Sequence, residues 1–271
     1  MTTSTTSTTS TTSTTATRAM TAAGPDGLRR DRVLICDCDG VLIDSEAVAA
    51  KMLVRELQTR WPERDIEPVV LPLLGLRIER VLEESAAAFG ETLAPFEMDA
   101  IRRSVEAAAQ QAPIVAGVEA ALAQIALLKA CASNSYTAYV DAVLARTGLA
   151  RFFGSRVFCA DRVPRPKPAP DIYVAAADAL GVSSAACLVV EDSVAGVAAA
   201  SGAGMIVLGF AGGTHAGHGG RAHVDALMQA GAQQVFDDMC ALPALVEQWM
   251  AGTVDKAGTA ANEKGDASWQ A

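Results

Sequence analysis

Short apolar runs alternate along this chain with longer stretches whose apolar residues recur every three or four positions, the pattern of a parallel sheet covered by helices. The short runs are Arg32 to Cys36, Leu127 to Ala132, Arg156 to Cys159, Cys187 to Val190, Met205 to Phe210 and, more weakly, Gln233 to Phe236. Six strands are expected from them. Between Ser45 and about Pro113 the alternation stops. There Val48, Met52, Leu53, Leu57 and Trp61 follow helical spacing, Ile78, Val81, Leu82 and Phe89 repeat it up to a helix stop at Gly90, and Ile101 with Val105 suggests a third helix. Residues 45–112 therefore read as a helical insert, and residues 31–44 with 113–250 as the α/β core around it.

The ends differ from this middle. Residues 2–15 are Thr and Ser only, with nothing apolar to bury, so residues 1–30 are expected to be disordered. The segment lacks the basic and then apolar order of a secretory signal, while a transit peptide stays open. From about Gly252 the Ala, Gly, Asp and Lys content predicts a second disordered end over residues 251–271. No apolar run approaches the ~20 residues needed to cross a bilayer.

Composition narrows the partners. The chain has 271 residues, 51% of them hydrophobic, enough for a full core in one or two domains. Its 31 acidic and 22 basic side chains give a net charge of −9 with no Lys/Arg cluster, which disfavours nucleic acid and anionic membranes. Cys36, Cys38, Cys131, Cys159, Cys187 and Cys240 show no CxxC spacing and mostly sit in strand-like runs. They read as reduced and buried, in keeping with a cytoplasmic protein.

The chemistry-bearing residues lie where strands should end. Cys36-Asp37-Cys38-Asp39-Gly40-Val41-Leu42-Ile43-Asp44-Ser45 closes the first run, and two carboxylates two residues apart point the same way. They are tolerable together if a divalent cation lies between them or if one is protonated, and both conditions suit phosphoryl transfer. Asp and Gly also favour plain turns. Val189-Val190-Glu191-Asp192-Ser193, with Gly196 beyond, puts a second acidic pair at the same edge, as cation ligands, as a helix cap, or both. Ser133 and Asn134 follow the second run, where a hydroxyl and backbone N–H groups could hold a phosphate oxygen or simply cap a turn. Lys167 stands among Pro166, Pro168 and Pro170, either a fixed cation for a phosphoryl group or a solvated loop lysine.

In order and position these four segments resemble the motif set of the haloacid dehalogenase superfamily, over roughly Arg32 to Trp249. The resemblance implies a Rossmann-like parallel sheet with an inserted helical cap domain and a Mg²⁺-dependent phosphatase. It implies that Asp37 is the nucleophile, that Asp39 is the general acid and base, and that Ser133 and Lys167 hold the phosphoryl group. Mg²⁺ would be bound by Asp37, the Asp39 backbone carbonyl, Glu191 and Asp192. Backbone donors near Asp39, Gly40 and Asn134 could hold the equatorial phosphate oxygens. Dehalogenases of the superfamily lack the second aspartate, so Asp39 argues for phosphate chemistry.

The segments look most like those of sugar-phosphate phosphatases and β-phosphoglucomutase. The mutase carries a histidine where this chain has Ala49. The expected activity is hydrolysis of a phosphorylated sugar or sugar acid by a monomer, with a phosphohexomutase and a non-catalytic phosphate-binding protein as alternatives. Arg77, and less directly Arg80, Arg102 or Arg103, could read a second anionic group of the substrate. The Gly212–Gly220 loop, with His215 and His218, is expected to be flexible rather than metal-binding.

Overall fold

The computed structural model describes residues 27–213 and 220–254. Most of both expected tails, and the glycine–histidine loop apart from its ends, lie outside those residues. Six strands form one sheet: β1 (Arg29–Cys36), β2 (Leu127–Ser133), β3 (Val157–Cys159), β4 (Cys187–Glu191), β5 (Ile206–Phe210) and β6 (Gln234–Phe236). Their order is β3-β2-β1-β4-β5-β6 and every pairing is parallel. β1 begins three residues before the apolar run because Arg29 pairs with Leu127 across a register irregularity, which a hydrophobic pattern cannot show.

Both faces of the sheet are covered, which explains why its strands read as continuous apolar runs rather than alternating ones. Successive side chains of β1 serve opposite layers. Val33 and Ile35 pack with Ile172 and Tyr173 of α8 (Asp171–Leu180) and Val197 of α9 (Val194–Gly202). Leu34 and Cys36 pack in the other layer with α5 (Val118–Gln124), α6 (Thr137–Thr147) and α11 (Leu242–Ala251). Leu34 and Ile35 are fully buried, each contributing about 1.5–3 kcal/mol of apolar burial.

Four α-helices fill the interval between Asp44 and Pro113: α1 (Glu46–Arg60), α2 (Glu67–Val70), α3 (Ile78–Ala88) and α4 (Pro95–Ala109). The pattern suggested three, and the short α2 beside Pro68 is the addition. They close over a core of their own, Leu53, Leu57, Trp61, Val81, Leu82 and Ile101 among others. The unit joins the sheet through a two-stranded stem, in which Asp44 N–H donates to Pro113 O (2.9 Å), Val115 N–H to Leu42 O (3.1 Å), and Ile43 bridges Ile114 antiparallel. The remaining helices are α7 (Ala150–Phe153) and α10 (Gly220–Ala230). No helix among the described residues is long and apolar enough to cross a membrane.

Candidate active site

The C-terminal ends of β1, β2 and β4 converge because β1 lies between the other two. Asp37 follows β1 directly, and its N–H donates to Val190 O of β4 (3.0 Å), so the first and fourth motifs are tied backbone to backbone. Gly40 turns the chain at φ +77°, and a Cβ there would lie 1.8 Å from Asp192 Oδ2. Only glycine lets the first loop press onto the second acidic pair.

Lys167 reaches from the proline-rich loop into the centre. Its Nζ donates to Asp37 Oδ1 (2.7 Å), Glu191 Oε1 (2.6 Å) and Ala132 O (2.8 Å), and it lies over the Tyr173 ring. It is buried, not solvated. Glu191 accepts further bonds from Tyr173 OH (2.8 Å) at Oε1, and from the N–H groups of Asp192 and Ser193 and the Ser193 hydroxyl at Oε2 (3.1 Å each). Ser193 Oγ also accepts from Gly196 N–H (3.0 Å), capping α9. The second acidic segment is therefore both a helix cap and part of the charged cluster.

Asp37, Glu191 and Asp192, all buried, each offer a carboxylate oxygen, and these atoms lie within 4.8 Å of one another. Three carboxylates face one ammonium. Burial, opposed by the Lys167 attraction and reinforced by crowding from Glu191 and Asp39, holds the Asp37 carboxyl well above its usual range. Burial also lifts Asp192, with Glu46, Asp37 and Glu191 adding to it. Burial works against the charge of Lys167, but Asp37 and Glu191 hold it well above the ordinary lysine value. A hard divalent cation fits this surplus of buried oxygen ligands.

Asp39 lies beside this cluster and lines the cavity in front of it. Three hydroxyls donate to its carboxylate: Ser45 Oγ (2.6 Å) and Tyr139 OH (2.7 Å) to Oδ1, and Ser135 Oγ (2.8 Å) to Oδ2. Ser45 precedes α1 in the capping position, yet gives its hydroxyl to Asp39 instead of capping the helix. Ser133 ends β2, lines the cavity, and accepts from Ser135 N–H (3.0 Å).

The cavity is bounded on the sheet side by Asp37, Asp39, Ser133, Asn134, Lys167 and Asp192, and on the other side by α1, α3, α4 and the loop at Leu74–Leu76. Gly40 N–H donates to Ile43 O within its own loop (2.7 Å). Arg77 does not line the cavity. Its guanidinium is engaged by Glu79 (2.8 Å) and Tyr136 OH (2.5 Å), because Tyr136, from the core, sits under it. Arg80, Arg102 and Arg103 are likewise paired with Glu84, with Asp99 and Glu106, and with Asp99. The Asn134 side chain donates to Gly75 O and Lys167 O and accepts from Lys167 N–H, joining the helical unit to the lysine loop.

Sequence reasoning passed over Ser45, Glu46, Ser135, Tyr136, Tyr139 and Tyr173. Ser45 and Ser135 lay inside the motifs, but the tyrosines and Glu46 gave no signal beyond ordinary helix and loop positions.

A family model for the haloacid dehalogenase-like hydrolases matches residues 32–204. The chain is 27% identical to the 6-phosphogluconate phosphatase of Escherichia coli K12 over 190 residues, 69% of this chain and 86% of that protein. It is 30% identical to a fructose-1-phosphate phosphatase of the same organism over 177 residues, 64% and 92% of the two chains. Among solved structures, a haloacid dehalogenase-like protein of Agrobacterium tumefaciens superposes with a TM-score of 0.69 at 31% identity, covering 81% of this chain and 99% of its own.

Proposed function

The chain belongs to the haloacid dehalogenase-like hydrolase family, and from that premise we propose that it is a Mg²⁺-dependent phosphatase of small phosphorylated sugars. The observation that carries the reading is the contact of Lys167 Nζ with Asp37 (2.7 Å), beside Asp192 and at the floor of a cavity that also exposes Asp39. A nucleophile, a fixed cation and a second carboxylic group thus face one space. The names of the two E. coli relatives support phosphorylated sugars and sugar acids as the substrate class.

In this mechanism the Asp37 carboxylate attacks phosphorus, and the bond from phosphorus to the alcohol oxygen breaks as Asp39 donates a proton to that oxygen. Asp39 then takes a proton from the water that attacks the aspartyl phosphate, releasing inorganic phosphate and restoring Asp37. Lys167 and the Ser133 hydroxyl neutralise and orient the phosphoryl oxygens. Asp37, Glu191, Asp192 and the Asp39 backbone carbonyl would hold Mg²⁺. When bound, the ion supplies positive charge against the transferring phosphoryl group. The four-helix unit acts as the cap that excludes water from the first step. Ala49 lines the cavity with a methyl group and supplies no base to activate a second sugar hydroxyl, which favours hydrolysis over phosphate return.

Asp37→Asn tests this directly. Phosphate release from a sugar-phosphate panel with Mg²⁺ is expected to fall by about 10³-fold or more while the melting transition stays cooperative. Turnover near wild type would refute the covalent route.

A further inference from the structure

We propose that Tyr139 is the positioning residue of the proton-transfer step: with Ser45 it anchors Oδ1 of Asp39, leaving Oδ2 as the oxygen that hands the proton to the leaving alcohol. The inference rests on the phosphatase reading above, in which Asp39 is the general acid and base. A carboxylate oxygen has room for about two donors. Oδ1 has both, from Tyr139 OH (2.7 Å) and Ser45 Oγ (2.6 Å). Oδ2 accepts one among the described residues, from Ser135 Oγ (2.8 Å). The open place for a proton is therefore on Oδ2.

The Tyr139 anchor comes from the core and not from the helical unit. Tyr139 sits in the first turn of α6, is buried, and belongs to the layer that holds Leu34, Cys36, Cys38 and Val143. The start of that helix is pinned by Thr137, whose N–H (3.0 Å) and hydroxyl (2.8 Å) both donate to Asp161. The phenol thus approaches Asp39 from a fixed direction. Ser45, also buried, does not line the cavity, whereas Ser135 does. The two oxygens of Asp39 accordingly have different surroundings, one held by the protein and one beside the space for substrate.

A hydroxyl hydrogen rotates freely, so Ser135 can donate to Oδ2 when it is ionised and accept from it when it carries the proton. Tyr139 donates to Oδ1 in both states. In the first step an Asp37 oxygen bonds to phosphorus, the bond from phosphorus to the alcohol oxygen breaks, and the proton on Oδ2 goes to that oxygen. In the second, water attacks the aspartyl phosphate and its proton returns to Oδ2. Both transfers need Oδ2 within hydrogen-bond reach of the reacting oxygen, which is what a fixed Oδ1 secures.

The test is kcat/KM with Mg²⁺ for two leaving groups, before and after Tyr139→Phe, which keeps the ring and removes the hydroxyl. One substrate is the sugar phosphate of the panel that the wild type turns over fastest, whose alkoxide must be protonated. The other is para-nitrophenyl phosphate, whose phenolate leaves without a proton. Tyr139→Phe is expected to lower the first value about tenfold or more and to change the second less than about twofold. In an Asp39→Ala background it is expected to change neither, because it acts through Asp39. Equal losses on both substrates would overturn the proposal in favour of a packing role, and no loss on either would show that Oδ1 needs no anchor. Ser45→Ala removes the other donor to Oδ1 and is expected to give the same selective loss to a smaller extent, so the anchor remains testable if Tyr139→Phe fails to fold. A loss from Ser45→Ala that falls equally on both substrates would likewise count against it. No phosphate release from any sugar phosphate by the wild type would instead overturn the phosphatase reading itself, and this inference with it.

Discussion

The two walls of the cavity are built on different principles. On the sheet side Lys167 and Glu191 are each held several times over: Lys167 has three hydrogen-bond acceptors, and Glu191 accepts from Lys167, Tyr173 and the Asp192–Ser193 turn. On the helical side the lining is mostly aliphatic, and its polar tie to the core runs through Tyr136, which accepts from Arg77 and donates to Glu79, and through Asn134. Buried charge demands complete pairing, so the sheet side has almost no freedom to vary. An aliphatic wall demands only volume and shape, so it can be retuned residue by residue.

The sharpest way to break this contrast is to disturb the sheet side by a single methyl group. A Cβ at Gly196 would lie 1.8 Å from Glu191 Oε1, and Glu191 cannot move without releasing Lys167. Gly196→Ala is expected to cost about 3 kcal/mol in urea denaturation and to lower turnover more than about 100-fold. A variant that melts like the wild type would show that this wall yields after all.

Asp192→Asn tests the same side through its surplus of carboxylates. In chelator it is expected to melt higher than the wild type, by about 1 kcal/mol, since one crowded buried carboxylate is gone. With Mg²⁺ the order should reverse, because the wild type gains binding energy that the variant lacks. Identical melting shifts for both proteins would count against Asp192 as a ligand.

The smallest effect is expected on the helical side. Tyr136→Phe removes the hydroxyl between Arg77 and Glu79 but keeps the ring beneath the Arg77 and Arg102 guanidinium groups. A stability change of about 1 kcal/mol and a loss in kcat/KM below about tenfold should follow. A loss as large as that of Gly196→Ala would mean that the helical side is as rigidly specified as the other.

The same contrast governs what could be read in the sequence. Strands buried on both faces announce themselves as apolar runs, and the six found differ from the six expected only at their ends. Asp37, Asp39, Ser133, Lys167, Glu191 and Asp192 were legible because each sits where a strand ends or a loop stiffens. Tyr139 and Tyr173 were not, since a tyrosine on the inner face of a helix looks like any packing residue until its hydroxyl finds a carboxylate across the fold. Glu46 hid in the first turn of α1, where an acidic residue is ordinary. Arg77 misled for the opposite reason: its place in the loop was right for reading substrate, but the core tyrosine and its own neighbour Glu79 claim it.

The stem between Asp44 and Pro113 has a consequence for how such a protein could be rebuilt. Two backbone positions joined by a 2.9 Å hydrogen bond are already as close as the ends of a hairpin, so everything between them is a graft on a socket. The helical unit could be excised and the ends joined by a short turn, or another module seated there. The strand order would stay the same, because the sheet sees only where the chain leaves β1 and where it returns toward β2.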